Sequence, residues 1–401
     1  MSTVTIDRLG HQGDGIATHE GRDIFIPFTL PGEAVTTTDP AEVLRPSPAR
    51  VTPVCRHFGT CGGCAVQHAS DAFAAEWKVD IVRQALAARG LDAPVKGVAT
   101  SPAGMRRRAT FGGRRTRKGA LVGFHQRASD TLIAIEECPV CDPSILAAVP
   151  ALEALTLIGA SRTGVVRLSV TASLAGSDVD VREAQALDAK MLPDLVAIAE
   201  AHDLARLTWN GEAIATRRPP EQRMGRALLV PPPGAFLQAT PQGQAALIAT
   251  VKAAVGKGRR IADLFAGCGT FTLPLLDGAE IHAVEAEADM LAAVDTAWRR
   301  TTGLHGLTTE VRDLFRRPLL QSELERFDAV VLDPPRAGAA HQAEELAASK
   351  VARIAFVSCN PVTFARDAQM LVNGGYGLRE LRVIDQFRWS PHIEISALFT
   401  R

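Results

Sequence analysis

The segment FVSCNP ends an apolar run on Cys359, with the turn formers Asn360 and Pro361 directly behind it. A cysteine at a strand end is commonly buried and inert, yet as a thiolate it is a strong nucleophile. Such a nucleophile has a purpose where the group to be modified is an unreactive carbon. C5 of uracil is one: it becomes nucleophilic only after something adds at C6, and a base must afterwards remove the C5 proton. An amino nitrogen carries its own lone pair and needs no such help. Near the C-terminus, WSPHIEISALF offers Glu394 on a strand-like run, a carboxylate available for the second task.

Other residues read as a cofactor site. RRIADLFAGCGTF places a short buried strand before a turn holding Gly267 and Gly269, bordered by Phe265 and Thr270 and followed by a helical pattern. Strand, glycine turn and helix together let a backbone approach a nucleotide-like ligand. Glu285 ends the next strand, IHAVE, where a carboxylate can accept from both ribose hydroxyls, and Asp313 in VRDLF ends a third strand near the expected adenine. DAVVLDPPRAG gives a fourth, ending at Asp333. DLFAGCGTF resembles motif I of methyltransferases that use S-adenosylmethionine (SAM); the third glycine of the NAD fingerprint is missing. The DPPR segment is similar to the [DN]PP[YF] of amino-group methyltransferases, but no aromatic residue follows its prolines.

Five of seven cysteines cluster: Cys55, Cys61 and Cys64 in C-x5-C-x2-C spacing, then Cys138 and Cys141 in CPVC. Four thiolates suit zinc or a [4Fe-4S] cluster equally well on spacing alone. Between Arg106 and Lys118 lie seven basic residues (Arg106, Arg107, Arg108, Arg114, Arg115, Arg117 and Lys118) with no acid among them. A patch of this kind suits phosphate contacts that position a nucleic acid without reading its sequence.

These groups need scaffolds. With 401 residues, 46% hydrophobic and 22% charged, the chain calls for two or three domains. Its 44 basic and 44 acidic residues cancel, so any affinity for a polyanion must be local. No apolar leader and no run of eighteen apolar residues is found, which predicts a cytoplasmic protein with no membrane partner. Residues 1–52 alternate short apolar runs with turns, as a small β-barrel does. A central antiparallel β domain is expected over 53–235, introduced by a helix in DAFAAEWKVDIVRQALAARG. From 236 to 401, strands alternate with helices, predicting a doubly wound α/β sheet.

The N-terminal pattern GDGIA…GRDIFIPFTLPGE resembles a TRAM domain, an OB-like RNA-binding module. DLFAGCGTF, LDPPRAG, FVSCNPVT and PHIE together resemble the uracil-C5 RNA methyltransferase family, and the resemblance spans nearly the whole chain. It implies a Rossmann-like catalytic domain with Cys359 as nucleophile and Glu394 as base. SAM contacts are implied from Gln238 in GAFLQAT and from Phe265, Thr270, Glu285, Asp313 and Asp333. It also implies a [4Fe-4S] cluster on Cys55, Cys61, Cys64 and Cys138, with zinc the alternative metal and Cys141 the alternative ligand. Members with both a TRAM domain and a cluster resemble the 23S rRNA enzymes, so 23S rRNA is the expected substrate, tRNA the alternative, and a monomer the expected state. The chain departs from the family at Phe356, where Tyr is frequent, and in FRWSPHIE, which lacks the family's usual proline and is one residue shorter before its His-x-Glu. Two rival readings are a non-catalytic RNA-binding protein and an amino-group methyltransferase working through DPPR.

Overall fold

A computed structural model describes residues 2–401. At the N-terminus, Thr3–Thr5, Ala34–Thr36 and Val43–Arg45 form one three-stranded sheet and Arg8–Leu9, Gly15–His19 and Arg22–Ile26 another. Val4, Ile6, Ala17, Ile26 and Val35 fill the small core of this unit. Alternation is clean only in Thr3–Thr5, where Val4 is buried between exposed threonines.

The central region is built on a seven-stranded sheet. Its spatial order is Leu132–Ala134, Gly119–His125, Arg108–Thr116, Val165–Ser173, Gly176–Arg182, Arg206–Trp209 and Glu212–Thr216. All neighbours run antiparallel except Gly176–Arg182 with Arg206–Trp209. Helices Val149–Gly159 and Leu192–Ala201 cover it, and Phe111, Leu152, Leu155 and Trp209 are buried between the layers.

The C-terminal sheet has eight strands, in the order Leu307–Val311, Glu280–Glu285, Arg260–Leu264, Ala329–Leu332, Arg353–Ser358, Glu394–Thr400, Gly377–Asp385 and Val95–Thr100. The first five run parallel, and Glu394–Thr400 is inserted antiparallel. The continuous apolar runs AVVL and RIAFVS are what strands covered on both faces require. The strand order reverses between Arg260–Leu264 and Ala329–Leu332, which opens a crevice at their carboxyl ends.

The eighth strand comes from far upstream. Val95–Thr100 runs parallel to Gly377–Asp385, and helix Asp71–Ala87 buries Val79, Val82 and Leu86 in the same core as Phe356, Phe364 and Phe399. Ser70 caps that helix by accepting from the Phe73 N–H. Residues 71–100 thus serve the C-terminal sheet although they precede the central one.

Candidate active site

Strand Arg260–Leu264 delivers the chain into its glycine turn with Phe265, Gly267 and Gly269 all at positive φ. A Cβ at Gly269 would meet Val294 Cγ2 at 2.9 Å, whereas one at Gly267 would point into open space. The turn is therefore closed on its protein side and open on its crevice side. Glu285 stands beside it: one carboxylate oxygen accepts the Gly267 N–H at 2.9 Å and the other accepts the Ala286 N–H at 2.7 Å. Asp263 is fully buried beneath, with Thr272 Oγ1 donating to one oxygen at 2.5 Å and the other unpartnered. Burial, with Glu285 nearby, pushes its carboxyl up to about 7. Phe265 and Phe315 approach with ring centroids 5.4 Å apart, and Asp313 accepts the Phe315 N–H. An open glycine turn, a carboxylate at the second strand end and an aromatic wall fit an adenosyl group.

Cys359 and Glu394 meet through strand register. Arg353–Ser358 pairs antiparallel with Glu394–Thr400, Ser358 opposite Ile395. One step further along this ladder sets Cys359 opposite Glu394. The half-buried Cys359 thiol is pushed up to about 11 by burial, then by the charges of Glu394 and Asp333, with Arg336 acting the other way. Glu394, 3% exposed, is pushed up to about 8 by burial and by Asp333. Asp333 itself rises to about 7, from burial and the neighbouring Asp263. The loop after Asp333 is tied to the turn of Cys359: Asn360 Nδ2 and Thr363 Oγ1 both donate to the Arg336 carbonyl. Asn360 also caps helix Pro361–Asn373. The crevice thus holds a half-buried thiol, a carboxylate poised near neutrality and the charge of Arg336 within reach of the thiol. That set can add to an electron-poor carbon and then remove a proton.

Gln238 reaches the same place from the loop before helix Pro241–Val255. Its backbone carbonyl accepts from Arg107 Nε at 3.0 Å, and its side-chain carbonyl accepts from Gln386 Nε2 at 2.5 Å. Gln386 also donates to Glu394 at 3.4 Å. Neither Gln386 nor Arg107 stood out in the sequence as part of this site. Phe356 packs against Phe364 and Phe399 in the core and does not line the crevice.

Cys55, Cys61, Cys64, Cys138 and Cys141 line a single cleft of about 810 Å³, together with Arg106, Arg108, Phe387 and His392. Burial pushes the Cys64 thiol up to about 12, while a hydrogen bond from Cys141 draws the Cys138 thiol down. Among the described residues, no three His, Cys, Asp or Glu side chains are gathered closely enough to grip an ion as they stand. Of the seven basic residues expected to meet phosphate, Arg107 does not: it is 7% exposed and bonded to Gln238, Gln222 and Gln244. Arg114, Arg115, Arg117 and Lys118 are exposed around the turn joining Arg108–Thr116 to Gly119–His125.

Crevice, glycine turn and strand order define a SAM-dependent methyltransferase. Residues 234–401 match the model of the tRNA (uracil-5-)-methyltransferase family, and residues 2–37 that of the TRAM domain. An uncharacterized RNA methyltransferase of Caulobacter vibrioides is 43% identical, the match covering 100% of both chains. The 23S rRNA (uracil(1939)-C(5))-methyltransferase RlmD of Nitrosococcus oceani is 34% identical over 98% of this chain and 95% of its own. The crystal structure of Pyrococcus abyssi tRNA (uracil-54, C5)-methyltransferase with S-adenosyl-L-homocysteine covers 100% of both chains, at a TM-score of 0.76 and 23% identity. The chain belongs to the tRNA (uracil-5-)-methyltransferase family and is an RNA methyltransferase. Among the described residues, no helix is long and apolar enough to cross a membrane.

Proposed function

We propose that this enzyme methylates C5 of a uridine in RNA, with Cys359 as nucleophile, Glu394 as base and 23S rRNA as substrate. The observation that carries the reading is that Cys359 follows directly on the Ser358–Ile395 pair, with Glu394 directly before it on the other strand and its charge felt at the thiol. The Cys359 thiolate adds to C6 of an unstacked uracil and raises electron density at C5. Arg336 opposes the negative charges that hold the thiol protonated. When bound, SAM supplies the methyl group for that carbon. Glu394 then takes the C5 proton, and the bond from Cys359 to C6 breaks to restore the ring.

The residues that would hold SAM are Gln238, Phe265, Thr270, Glu285, Asp313 and Asp333. Glu285 faces the glycine turn whose open side would receive it. The 34% identity to a 23S rRNA enzyme over nearly the full length favours rRNA, and the exposed charges at 114–118 suit its phosphates. Cys55, Cys61, Cys64 and Cys138 would hold a [4Fe-4S] cluster. Their place along one cleft and the resemblance of C-x5-C-x2-C with a later Cys-Pro to the family's cluster signature support this reading over a single zinc ion.

RNA carrying 5-fluorouridine tests the mechanism, because fluorine at C5 leaves the base no proton to remove. The expected result is a denaturation-stable protein–RNA complex that requires SAM and is absent from Cys359→Ala. Steady uracil methylation by Cys359→Ala would overturn the reading.

A further inference from the structure

Gln386 is 1% exposed at the end of strand Gly377–Asp385, immediately before the chain turns toward Glu394. Its side-chain amide is used on both ends. Oε1 accepts the Ala239 N–H at 2.8 Å, while Nε2 donates to Gln238 Oε1 at 2.5 Å and Glu394 Oε1 at 3.4 Å. A backbone N–H can face only the carbonyl end of an amide, so the Ala239 contact fixes which end meets Glu394: the donor end. We propose that Gln386 is a positioning residue of the methyl-transfer site, holding the Glu394 carboxylate and the Gln238 amide in one fixed orientation.

Two consequences follow for the chemistry, both resting on the role proposed above for Glu394. A donor aimed at a carboxylate favours its charged form, so Gln386 opposes the burial and the Asp333 charge that work to neutralise Glu394. Besides Asp333, the titratable and charged groups nearest are Cys359, Arg336, His392, Arg107 and the Asp385–Lys78 pair, with Arg379, Glu380, Arg382 and Arg353 further along the two flanking strands. Removal of Gln386 leaves all of these in place, so a changed pH profile reports on this amide. For Gln238, the bond from Gln386 fixes which end of the amide is the carbonyl. Its amino end, with two N–H donors, is left to meet a hydrogen-bond acceptor such as a carboxylate or a carbonyl.

The test uses the full chain and uridine RNA in single-turnover reactions from about pH 6 to about pH 10, quenched in denaturant to separate covalent adduct from released product. In Gln386→Leu, the midpoint for adduct resolution should move up by about one pH unit, the loss of one hydrogen bond to a charged group. KM for SAM should rise about fivefold. Gln386→Met, unbranched and similar in volume, should behave alike. Trapping by 5-fluorouridine RNA should persist in both variants, since it needs no base. Wild-type enzyme that fails to trap would sink the thiol reading itself. Wild-type trapping with an unmoved midpoint and unchanged KM in the variants would overturn the positioning role alone. Failure of both variants to fold would assign Gln386 to structure only and overturn it too.

Discussion

Lys78 should be among the most sensitive positions outside the crevice. Its ammonium is completely buried in helix Asp71–Ala87, donating to Asp385 Oδ1 at 2.5 Å and to the Phe387 carbonyl at 3.1 Å. Lys78→Met keeps the apolar stem but leaves Asp385, 3% exposed, without its countercharge. Removing one partner of a buried pair costs about 3–5 kcal/mol. The Phe387 N–H still donates to Asp385, which sets the expectation near the lower end, about 3 kcal/mol. Urea unfolding followed through the buried Trp77 and Trp389 measures this. Lys78→Met/Asp385→Asn removes both charges and should recover all but about 1 kcal/mol. A Lys78→Met variant within about 0.5 kcal/mol of wild type at pH 8 would refute the reasoning.

Glu394→Gln should methylate uridine RNA and then stall as a covalent complex, with release slowed on the order of 100-fold or more; rapid release would point to another base. In wild type the release step should rise with pH and level off above about 8, where the Glu394 carboxyl is ionised. Gly269→Ala forces a Cβ to within 2.9 Å of Val294 at positive φ, so SAM affinity by calorimetry should fall at least about tenfold. Neutralising Arg114, Arg115, Arg117 and Lys118 together should flatten the log Kd against log salt slope for RNA by roughly 3 to 4 without changing sequence preference. Anaerobically purified protein should absorb near about 400 nm and lose that band in Cys61→Ser; a colourless protein carrying stoichiometric zinc would replace the cluster with an ion.

The parts legible in the sequence are those whose meaning is local. Gly267, Gly269 and Glu285 announce a ligand turn because backbone geometry and strand-end position are written within some twenty residues. Cys359 is legible because its turn formers follow it directly. Glu394 needed the mechanism and the resemblance to single it out, since its significance comes from a register no single strand encodes. Gln386 had no local signature and Lys78 only a faint one: a glutamine at a strand end and a lysine on a helix resemble solvated residues until partners distant in the chain enclose them. The pattern did hold one clue, because Lys78 sits between Trp77 and Val79 on a helix face otherwise apolar. Arg107 read as one of seven surface charges, and only the fold turns it inward between two glutamine side chains and the Gln238 carbonyl. The alternation of strand and helix after residue 236 was enough to predict the doubly wound sheet, whereas the parallel docking of Val95–Thr100 was not, because parallel neighbours leave no hairpin between them.

That docking sets a schedule for synthesis. Val95–Thr100 leaves the ribosome roughly 280 residues before its partner Gly377–Asp385, which at about 5–20 residues per second is a wait of roughly 15–60 s. During that interval helix Asp71–Ala87 carries Val79, Val82 and Leu86 uncovered, next to a strand with an open edge. Its sequence, VKGVAT, is mostly exposed even in the finished protein and carries Lys96 and Gly97, features that discourage pairing with strangers. The methyltransferase half is therefore completed last and all at once, and a fragment beginning at residue 236 would lack an edge strand and a helix that its core expects. Such a fragment should therefore be less soluble than the full chain, which expression of the two side by side measures.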